Sequence, residues 1–559
     1  MGTQMRSLRR AAAVAAIFGV LAIACGDDAA KTGEQGGAAS SAASSTTKAP
    51  QRGGSLTLGV FTEVRGVDPV VATNGSGSTG GTELGALFDR LLEWNPSTKS
   101  FVPKTAESVT SNADATEWTI KLRPNIRFQT GNAYDAAAVK FGIERQKNDS
   151  AVNKGSLATV KSIDVIDPLT AKVTLTQGWT AFPFLLSGAI GMIADPAIVQ
   201  QRGKDFATNP AGAGAGPFEF VSFKPGEALV LRRNPNYWGG DVHLDELRFV
   251  PVSAGAAALY EAVKAGTLQG GYVRDTPTVA KSKSDGYPGY DVTMAFGQVL
   301  LINNGLDVTC VGGQPAPQCT GQPDNAKVVP KTPGQDPTVR RAIALAIDPA
   351  VVNERANQGK ATPGFFDTSF PWNPNVATLT PNADEAKRLV AQAKAAGWNG
   401  SIRLSCASDP TASALAQAIE AQLKSVGFDV NRTAGLDTNA LVMAVITKRD
   451  YDLACWGLTA SPDDGAQIQL DSFLRSTSAS NRVGYKNPAM DSALDDLKRA
   501  ANDAQKTAAF KRIVELWNQD VPAALIAALP EREVWSNKIH DVRGTSVGAV
   551  ILDKAWLEQ

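Results

Sequence analysis

Two kinds of hydrophobic pattern divide the chain into a first and a second half. In the first half, short runs that alternate apolar and polar residues predict β-strands or hairpins. These runs lie at 53–61, 117–131, 162–177 and 216–238. Apolar residues at helical spacing predict two further elements, a helix over 84–92 and a helix over 137–146. The run Trp94-Asn95-Pro96 marks the expected end of the first helix.

The second half alternates strands with longer helices. A helix over 336–348 begins with Asp336 as N-cap and Pro337 in its first turn, and another helix covers 382–397. Strands are then expected at 401–406, 428–433 and 451–458, with helices at 411–427 and 439–448. Because strands that alternate with helices form parallel sheets with right-handed crossovers, this half is predicted to be α/β.

The N-terminus has the features of an export signal. Arg6, Arg9 and Arg10 precede an apolar run that ends at Ala24, and Cys25 follows directly. The run is short for a membrane-spanning helix. Small residues ahead of a single cysteine resemble a bacterial lipobox, so residues 1–24 are predicted to be a signal peptide and Cys25 the lipidated first residue. A plain secretory signal with an incidental cysteine is the alternative.

The segment after Cys25 predicts where the folded part of the chain works. Residues 26–52 are rich in Gly, Ala, Ser and Thr and offer nothing that could build a core, so 25–52 is predicted to be a lipidated, flexible tether. The folded part would then lie outside the cytoplasm, at the outer face of the cytoplasmic membrane or in the periplasm.

Four cysteines remain after Cys25, and outside the cytoplasm an even number suggests disulfides. Cys310 and Cys319 bracket a Gly/Pro loop that can fold back on itself, although a zinc clip is a competing interpretation. Cys406 ends the first strand of the predicted parallel sheet and Cys455 lies near the end of the third. Since these strands are often neighbours in doubly wound sheets, we predict a second disulfide where such sheets bind ligands.

Composition narrows the classes of function. The 43% hydrophobic content is ordinary for a globular protein. Lys+Arg and Asp+Glu both number 55, and this balance argues against a nucleic-acid-binding protein. The two histidines, His243 and His540, lie far apart in the sequence, which argues against a histidine-ligated metal site and against a Ser-His-Asp triad.

Five segments carry a family resemblance. They are 88–110, 118–139, the pair GAGPF (214–218) and RNPNYW (233–238), 339–348, and 451–464. In this order, and over about residues 53 to 559, the chain resembles family 5 of the extracellular solute-binding proteins of ABC importers. That family includes oligopeptide-, dipeptide- and nickel-binding proteins.

The resemblance implies an α/β fold of the periplasmic-binding-protein kind, type II, with two lobes joined by a hinge and an extra subdomain inserted in lobe I. The implied division assigns 53–87, 205–297 and 520–559 to lobe I, 88–204 to the inserted subdomain and 298–519 to lobe II. The solute would bind between the lobes, which would close over it.

The resemblance also suggests ligand contacts. Trp456 ends a predicted strand and could present its ring to a ligand, with a place in the core as the alternative. Peptide binders of the family usually carry an aspartate three residues after this tryptophan, where this chain has Thr459. Asp463 and Asp464 are the nearest substitutes, although a turn after Pro462 would also explain them. The weaker candidates are Trp372, Thr62, Glu63, Phe296 and Gly297.

We therefore expect a lipid-anchored receptor that binds a short peptide or a similarly sized polar solute and delivers it to the permease and ATPase subunits of an ABC importer. It is expected to be a monomer without enzymatic activity, cofactor, resident metal or nucleic-acid partner. The alternatives are a sensor or adhesion lipoprotein on the same fold and a surface hydrolase that uses paired carboxylates.

Overall fold

The computed structural model describes residues 48–559, except 73–74, 149–151, 311–315, 369, 459 and 479. The predicted signal peptide, Cys25, most of the tether and Thr459 therefore lie outside the described residues. The chain from Pro50 to Gln559 forms one structural unit. Within the described part, none of the helices is long and apolar enough to cross a membrane.

The described residues contain strands β1 (Ser55–Val60), β2 (Leu92–Asn95), β3 (Ser100–Pro103), β4 (Ala106–Ser111), β5 (Glu117–Leu122), β6 (Val160–Asp167), β7 (Thr170–Leu175), β8 (Phe218–Lys224), β9 (Ala228–Arg233), β10 (Glu246–Pro251), β11 (Gly270–Val273), β12 (Gly289–Ile302), β13 (Val308–Thr309), β14 (Lys327–Val328), β15 (Thr362–Pro363), β16 (Ser401–Ser405), β17 (Asp429–Thr433), β18 (Leu453–Gly457), β19 (Ala523–Trp535), β20 (Ile539–His540), β21 (Arg543–Gly544), β22 (Val550–Ile551) and β23 (Trp556–Leu557).

The α-helices of the described residues are α1 (Gly81–Phe88), α2 (Ala136–Asn148), α3 (Phe182–Ser187), α4 (Pro196–Arg202), α5 (Ala256–Lys264), α6 (Thr276–Ser284), α7 (Pro337–Ala346), α8 (Pro349–Asn357), α9 (Ala383–Ala395), α10 (Pro410–Ser425), α11 (Thr438–Val442), α12 (Gly465–Leu474), α13 (Pro488–Arg499) and α14 (Asp503–Asp520).

One large mixed sheet organises the molecule. Its strand order is β17-β16-β18-β12-β19-β11-β1-β10-β9-β8, and β15 pairs with β19 beside this path. β16 runs parallel to β17 and to β18, as the alternation of strands and helices predicts. β1 likewise runs parallel to β10 and to β11. The long strands β12 and β19 pair with each other and join these two groups of parallel strands.

The pairing of β12 with β19 is irregular in its middle. Residues Gly289 to Met294 pair in register, and the register then shifts on both sides of Gln298. Phe296 has a φ of 52°, in the left-handed region that non-glycine residues rarely occupy, and its N–H donates to the carbonyl of Phe365 at 2.7 Å. The two parts of the large sheet therefore meet at a bulge in β12.

A separate antiparallel sheet lies within the segment predicted to be inserted. Its order is β4-β5-β7-β6, and the β6–β7 hairpin turns after Asp167 as predicted. The side chains of Trp118, Trp179 and Phe182 are buried in its core. The predicted hairpin of β8 and β9 is also present, with Gly226 in its turn at a φ of 78°.

In the second half of the chain, the helices α7 and α9 begin at the N-cap residues that the sequence predicts. The Asp336 carboxylate accepts from the backbone N–H of Thr338 at 2.7 Å and caps α7, whose apolar face buries Val339, Ala342 and Ile343. Asn382 caps α9 by accepting from the N–H of Glu385. Capping satisfies backbone donors that have no partner within the helix.

The predicted first helix is too long. We expected it over 84–92, but α1 ends at Phe88, where Asp89 takes a φ of 63°. Leu92 and Trp94 belong instead to β2, which pairs with β3. Leu91 and Leu92 are both buried, and their spacing therefore still matches that of the apolar face of a helix. The backbone at these two residues is nevertheless not helical.

Both predicted disulfides are present. Cys310 and Cys319 are bonded with a Cα–Cα distance of 5.4 Å, so the zinc interpretation is wrong. Cys406 and Cys455 are bonded with a Cα–Cα distance of 4.9 Å. The second bond joins the end of β16 to β18, and these strands are adjacent in the sheet, as the predicted order requires.

Candidate functional site

A cavity of about 740 Å³ lies where the two groups of parallel strands face each other. This volume is within the roughly 300–1,000 Å³ typical of small-molecule sites. Residues 61–65 and 274–275 line it from the first group. Residues 455–457, together with most residues of the segments 407–412 and 438–447, line it from the second group. Residues that are distant in the sequence therefore line one shared cavity.

The strand ends explain how these residues come together. β1 ends at Val60 and β11 at Val273, and their following residues line the cavity. β16 ends at Ser405 just before the cavity residue Ala407, and Cys455, Trp456 and Gly457 form the end of β18. Ligands in open α/β sheets bind beyond the carboxyl ends of parallel strands, which is where this cavity lies.

Trp456 provides an aromatic wall. Its partly buried ring packs against the hydrophobic core of the second half and also lines the cavity. The guanidinium carbon of Arg482 lies 5.5 Å from the Trp456 ring centroid, within cation–π range. The ring therefore serves both interpretations that the sequence left open, because it faces the core and the cavity.

Among the described residues, the charged side chains of the cavity wall are four arginines and three carboxylates, namely Arg65, Arg274, Arg449, Arg482, Glu63, Asp275 and Asp409. The Nε of Arg274 pairs with the buried carboxylate of Glu531 at 2.6 Å. An Arg449 nitrogen donates to the backbone carbonyl of Asp307 at 2.6 Å. These two arginines are held by the protein, whereas Arg65 and Arg482 form no ion pair with any described residue.

The three carboxylates of the cavity wall accept hydrogen bonds from the protein backbone. Asp275 caps α6 by accepting from the N–H of Thr278 at 3.0 Å, and burial raises the pKa of this carboxyl. Asp409 caps α10 by accepting from the N–H of Ala412 at 3.1 Å. Glu63 accepts from the N–H of Gly226 at 2.6 Å. The protein thus uses one oxygen of each carboxylate, while the buried Oδ2 of Asp275 has no hydrogen-bond partner among the described residues.

Of the predicted ligand contacts, Trp456, Thr62 and Glu63 line the cavity. The Thr62 hydroxyl donates to the carbonyl of Ser78 at 2.7 Å, which ties the loop after β1 to a second wall of the cavity. Cys455 lines the cavity as well, so the Cys406–Cys455 disulfide lies at the wall, as predicted.

Asp463 and Asp464 do not line the cavity. The buried Asp463 carboxylate accepts from the hydroxyl of Ser461 at 2.5 Å and from the N–H of Gly465 at 2.9 Å, and burial raises its pKa to about 6. Asp464 pairs with Lys506 at 2.5 Å. Both carboxylates thus stabilise the turn before α12 and its contact with α14, in line with the turn role that the sequence left open.

The remaining candidates lie in the core. The Trp372 ring stacks on Phe510 at a centroid distance of 6.0 Å, and its indole N–H donates to Asp503 at 2.8 Å. Phe296 is fully buried in an aromatic cluster with Phe365, Phe366 and Trp517. Gly297 accepts from the N–H of Leu458 at the β12 bulge. Trp372, Phe296 and Gly297 are not among the residues that line the cavity, although Gln298, next to Gly297 in the sequence, does line it.

The sequence did not predict the four arginines of the cavity wall or the two aspartates there, Asp275 and Asp409, that cap helices. The two helix caps had a signal in the sequence, because Asp275 and Asp409 each follow a strand within four residues and are followed within two residues by a proline in the first turn of a helix. Arg65 and Arg482 had no such signal in the sequence, because the sequence around a single arginine in a loop does not indicate whether packing will give it a carboxylate partner.

Within the described ranges, no group of three or more His, Cys, Asp or Glu residues could hold a metal ion. A ligand would instead meet aromatic, hydroxyl, amide and guanidinium groups, which suit an organic solute.

Comparison with known proteins identifies the family. The profile of bacterial extracellular solute-binding proteins, family 5 (middle region), matches residues 100–481. The chain belongs to this family. This family 5 protein is 25% identical to the glutathione-binding protein GsiB of Pectobacterium atrosepticum. The alignment of 444 residues covers 77% of this chain and 80% of GsiB.

Solved structures show the same fold. DppA of Helicobacter pylori, an ABC transporter-associated periplasmic binding protein in complex with the peptide STSA, matches with a TM-score of 0.73 and 20% identity over 91% of this chain and 99% of DppA. NikZ of Campylobacter jejuni in complex with Ni(L-His) matches with a TM-score of 0.72 and 18% identity over 89% and 97%. The predicted two-lobed periplasmic-binding-protein fold is thereby confirmed, and the family is a substrate-binding component of ABC transporters that works outside the cytoplasm.

Proposed function

We propose that this protein captures a short peptide or a polar solute of similar size and delivers it to the permease and ATPase subunits of an ABC importer. The cavity carries the proposal, because about 740 Å³ between two groups of strands suits a ligand of that size. The relatives support the class, since GsiB is named for glutathione, itself a tripeptide, and DppA holds a peptide.

Delivery would depend on closure of the two lobes. The proposed lobe I comprises 53–87, 205–297 and 520–559, lobe II comprises 298–519, and 88–204 is inserted in lobe I. The bulge in β12 supports the boundary at 297, while the pairing of β19 residues Ala523 to Ala527 with lobe II strand residues favours a later crossing on that strand. The solute would stabilise the closed arrangement that docks on the permease.

Anchoring completes the proposal. Cys25 would carry a lipid that holds a monomeric protein at the outer face of the membrane, with residues 26–52 as the tether. The string of small residues before Cys25 supports this. Metabolic labelling with a fatty-acid analogue is expected to mark the wild-type chain and to leave a Cys25→Ser variant unlabelled and in the soluble fraction. Labelling of both chains would contradict the anchor.

Native mass spectrometry tests the cargo. The full-length protein would be purified without denaturation, and any bound small molecule would be released and identified. We expect the released molecule to be a peptide or a peptide-like solute. If the purified protein carries no small molecule, we expect glutathione or di- to tetrapeptides to raise its melting temperature and oligosaccharides to leave it unchanged. An identified carbohydrate, or the absence of any response to this panel, would contradict the proposed cargo.

A further inference from the structure

Arg482 is a guanidinium at the cavity wall without a carboxylate partner. It stacks against the ring of Trp456, and its side chain forms no ion pair with the described residues. Arg65, in the loop after β1, is exposed, lines the same cavity and is likewise unpaired in that part of the chain. The two residues approach from opposite groups of strands.

Like charges surround Arg482. Burial, followed by repulsion from Arg65 and, more weakly, from Arg274, lowers the pKa of Arg482 to about 10. The guanidinium therefore stays charged near neutral pH. Such an arrangement is unfavourable by itself, because positive charges in a partly desolvated space repel each other unless an anion joins them.

None of the three carboxylates that line the cavity in the described part of the chain forms an ion pair with Arg65 or Arg482. Asp275 and Asp409 cap α6 and α10, and Glu63 accepts from the backbone of Gly226. Arg274 already pairs with Glu531. Among the described arginines of the cavity wall, Arg65 and Arg482 thus have neither an ion pair nor a hydrogen bond from their side chains, and they lie on opposite sides of the cavity.

We propose that Arg65 and Arg482 form an anion subsite that binds a carboxylate of the solute. This inference rests on the proposed function and specifies it, because it requires a solute with at least one free carboxylate. The planar guanidinium offers paired N–H donors that match a carboxylate, and Trp456 holds that plane in place for Arg482. An anion shared by Arg65 and Arg482 would also link the two sides and favour closure.

Calorimetric titration of the full-length protein tests the subsite with four probes: trialanine, trialanine amide, glutathione and inorganic phosphate. Trialanine and its amide differ in the C-terminal carboxylate alone. We expect wild-type protein to bind trialanine about tenfold or more tightly than the amide. Arg482→Gln is expected to reduce this preference to within about twofold, and Arg482→Lys to keep part of it. The charge-matched control is Arg248→Gln, at an exposed position on β10 outside the cavity.

The outcomes separate the two proposals. Equal wild-type affinity for trialanine and its amide, or an unchanged preference in Arg482→Gln and Arg65→Gln, overturns the subsite and leaves solute capture standing. Tighter binding of inorganic phosphate than of any carboxylate probe overturns the carboxylate assignment. A wild-type protein that binds none of the probes overturns both the subsite and the peptide cargo. Thermal melting of each variant verifies folding, and removal of an unpaired, repelled charge is not expected to lower the melting temperature.

Discussion

At the scale of single residues, Trp456 is the side chain on which core, cavity and charge converge. Replacing it with alanine removes an aromatic face from the cavity and the cation–π partner of Arg482. We expect solute affinity to fall by about tenfold or more, equivalent to roughly 1.4 kcal/mol. Trp456→Phe keeps a ring and should retain most of the affinity. Titration with the solute released from the wild-type protein measures this, and equal affinity in the alanine variant would contradict a ligand role.

Glu83 gives a residue-scale prediction about pH. Burial raises the pKa of this carboxyl from 4.5 to about 7, and the pKa of the neighbouring buried Glu533 is raised by burial and by Glu83. Between pH 4.5 and about pH 7 the folded state keeps a proton on Glu83 that the unfolded state has lost. The resulting stability is present below about pH 4.5 and is lost as the pH rises through 7.

Substitution of Glu83 isolates this effect. Relative to wild type, Glu83→Gln is expected to gain about 2–3 kcal/mol of unfolding free energy between pH 5 and pH 8, since the amide does not ionise. Urea unfolding at the two pH values measures the gain, and Glu354→Gln is the control because Glu354 is exposed. The same pH dependence in wild type and in Glu83→Gln would show that Glu83 does not keep its proton.

At the scale of elements, local patterns predicted most of the second half. The caps Asp336 and Asn382 act through backbone groups within three residues, so the sequence near them suffices. The end of α1 at Phe88 was missed, because buried leucines continue the helical spacing after the backbone turns at Asp89. The unpaired state of Arg482 was equally invisible, since it depends on which distant side chains packing brings near.

The bulge in β12 is an element whose geometry requires glycine. A Cβ added at Gly297 would lie 2.3 Å from the Cβ and the backbone nitrogen of Leu529 on β19. Because both strands pass between the two parts of the sheet, the clash cannot be relieved by one side chain. Gly297→Ala is expected to cost about 1–3 kcal/mol in chemical unfolding. Gly155→Ala, where the Cβ meets nothing within 4 Å, is the control, and an equal cost at both positions would contradict the argument.

The two disulfides should differ in their contribution to stability. Cys406–Cys455 spans 49 residues and Cys310–Cys319 spans 9. Restriction of the unfolded chain gives about 4 kcal/mol for the longer loop and about 2.6 kcal/mol for the shorter one. Paired Cys→Ala variants, compared by urea unfolding, are expected to follow this order. The reverse order would mean that local packing of the short loop outweighs chain entropy.

At the scale of the whole molecule, the solute should act on the equilibrium between open and closed lobes. The cavity walls come from both groups of strands, so a bound solute contacts both, and its differential affinity for the closed form sets the population shift. Spin labels at Lys154 and Lys448, next to the cavity residues Asn153 and Thr447 on the two sides, report the separation across the cavity. Saturating solute is expected to shorten and narrow the distance distribution. In Arg482→Gln, trialanine at the same fractional saturation should shorten it less, because the proposed carboxylate link between the sides is lost. An unchanged distribution in the wild-type protein would show that binding occurs without closure, and the subsite would then contribute affinity alone.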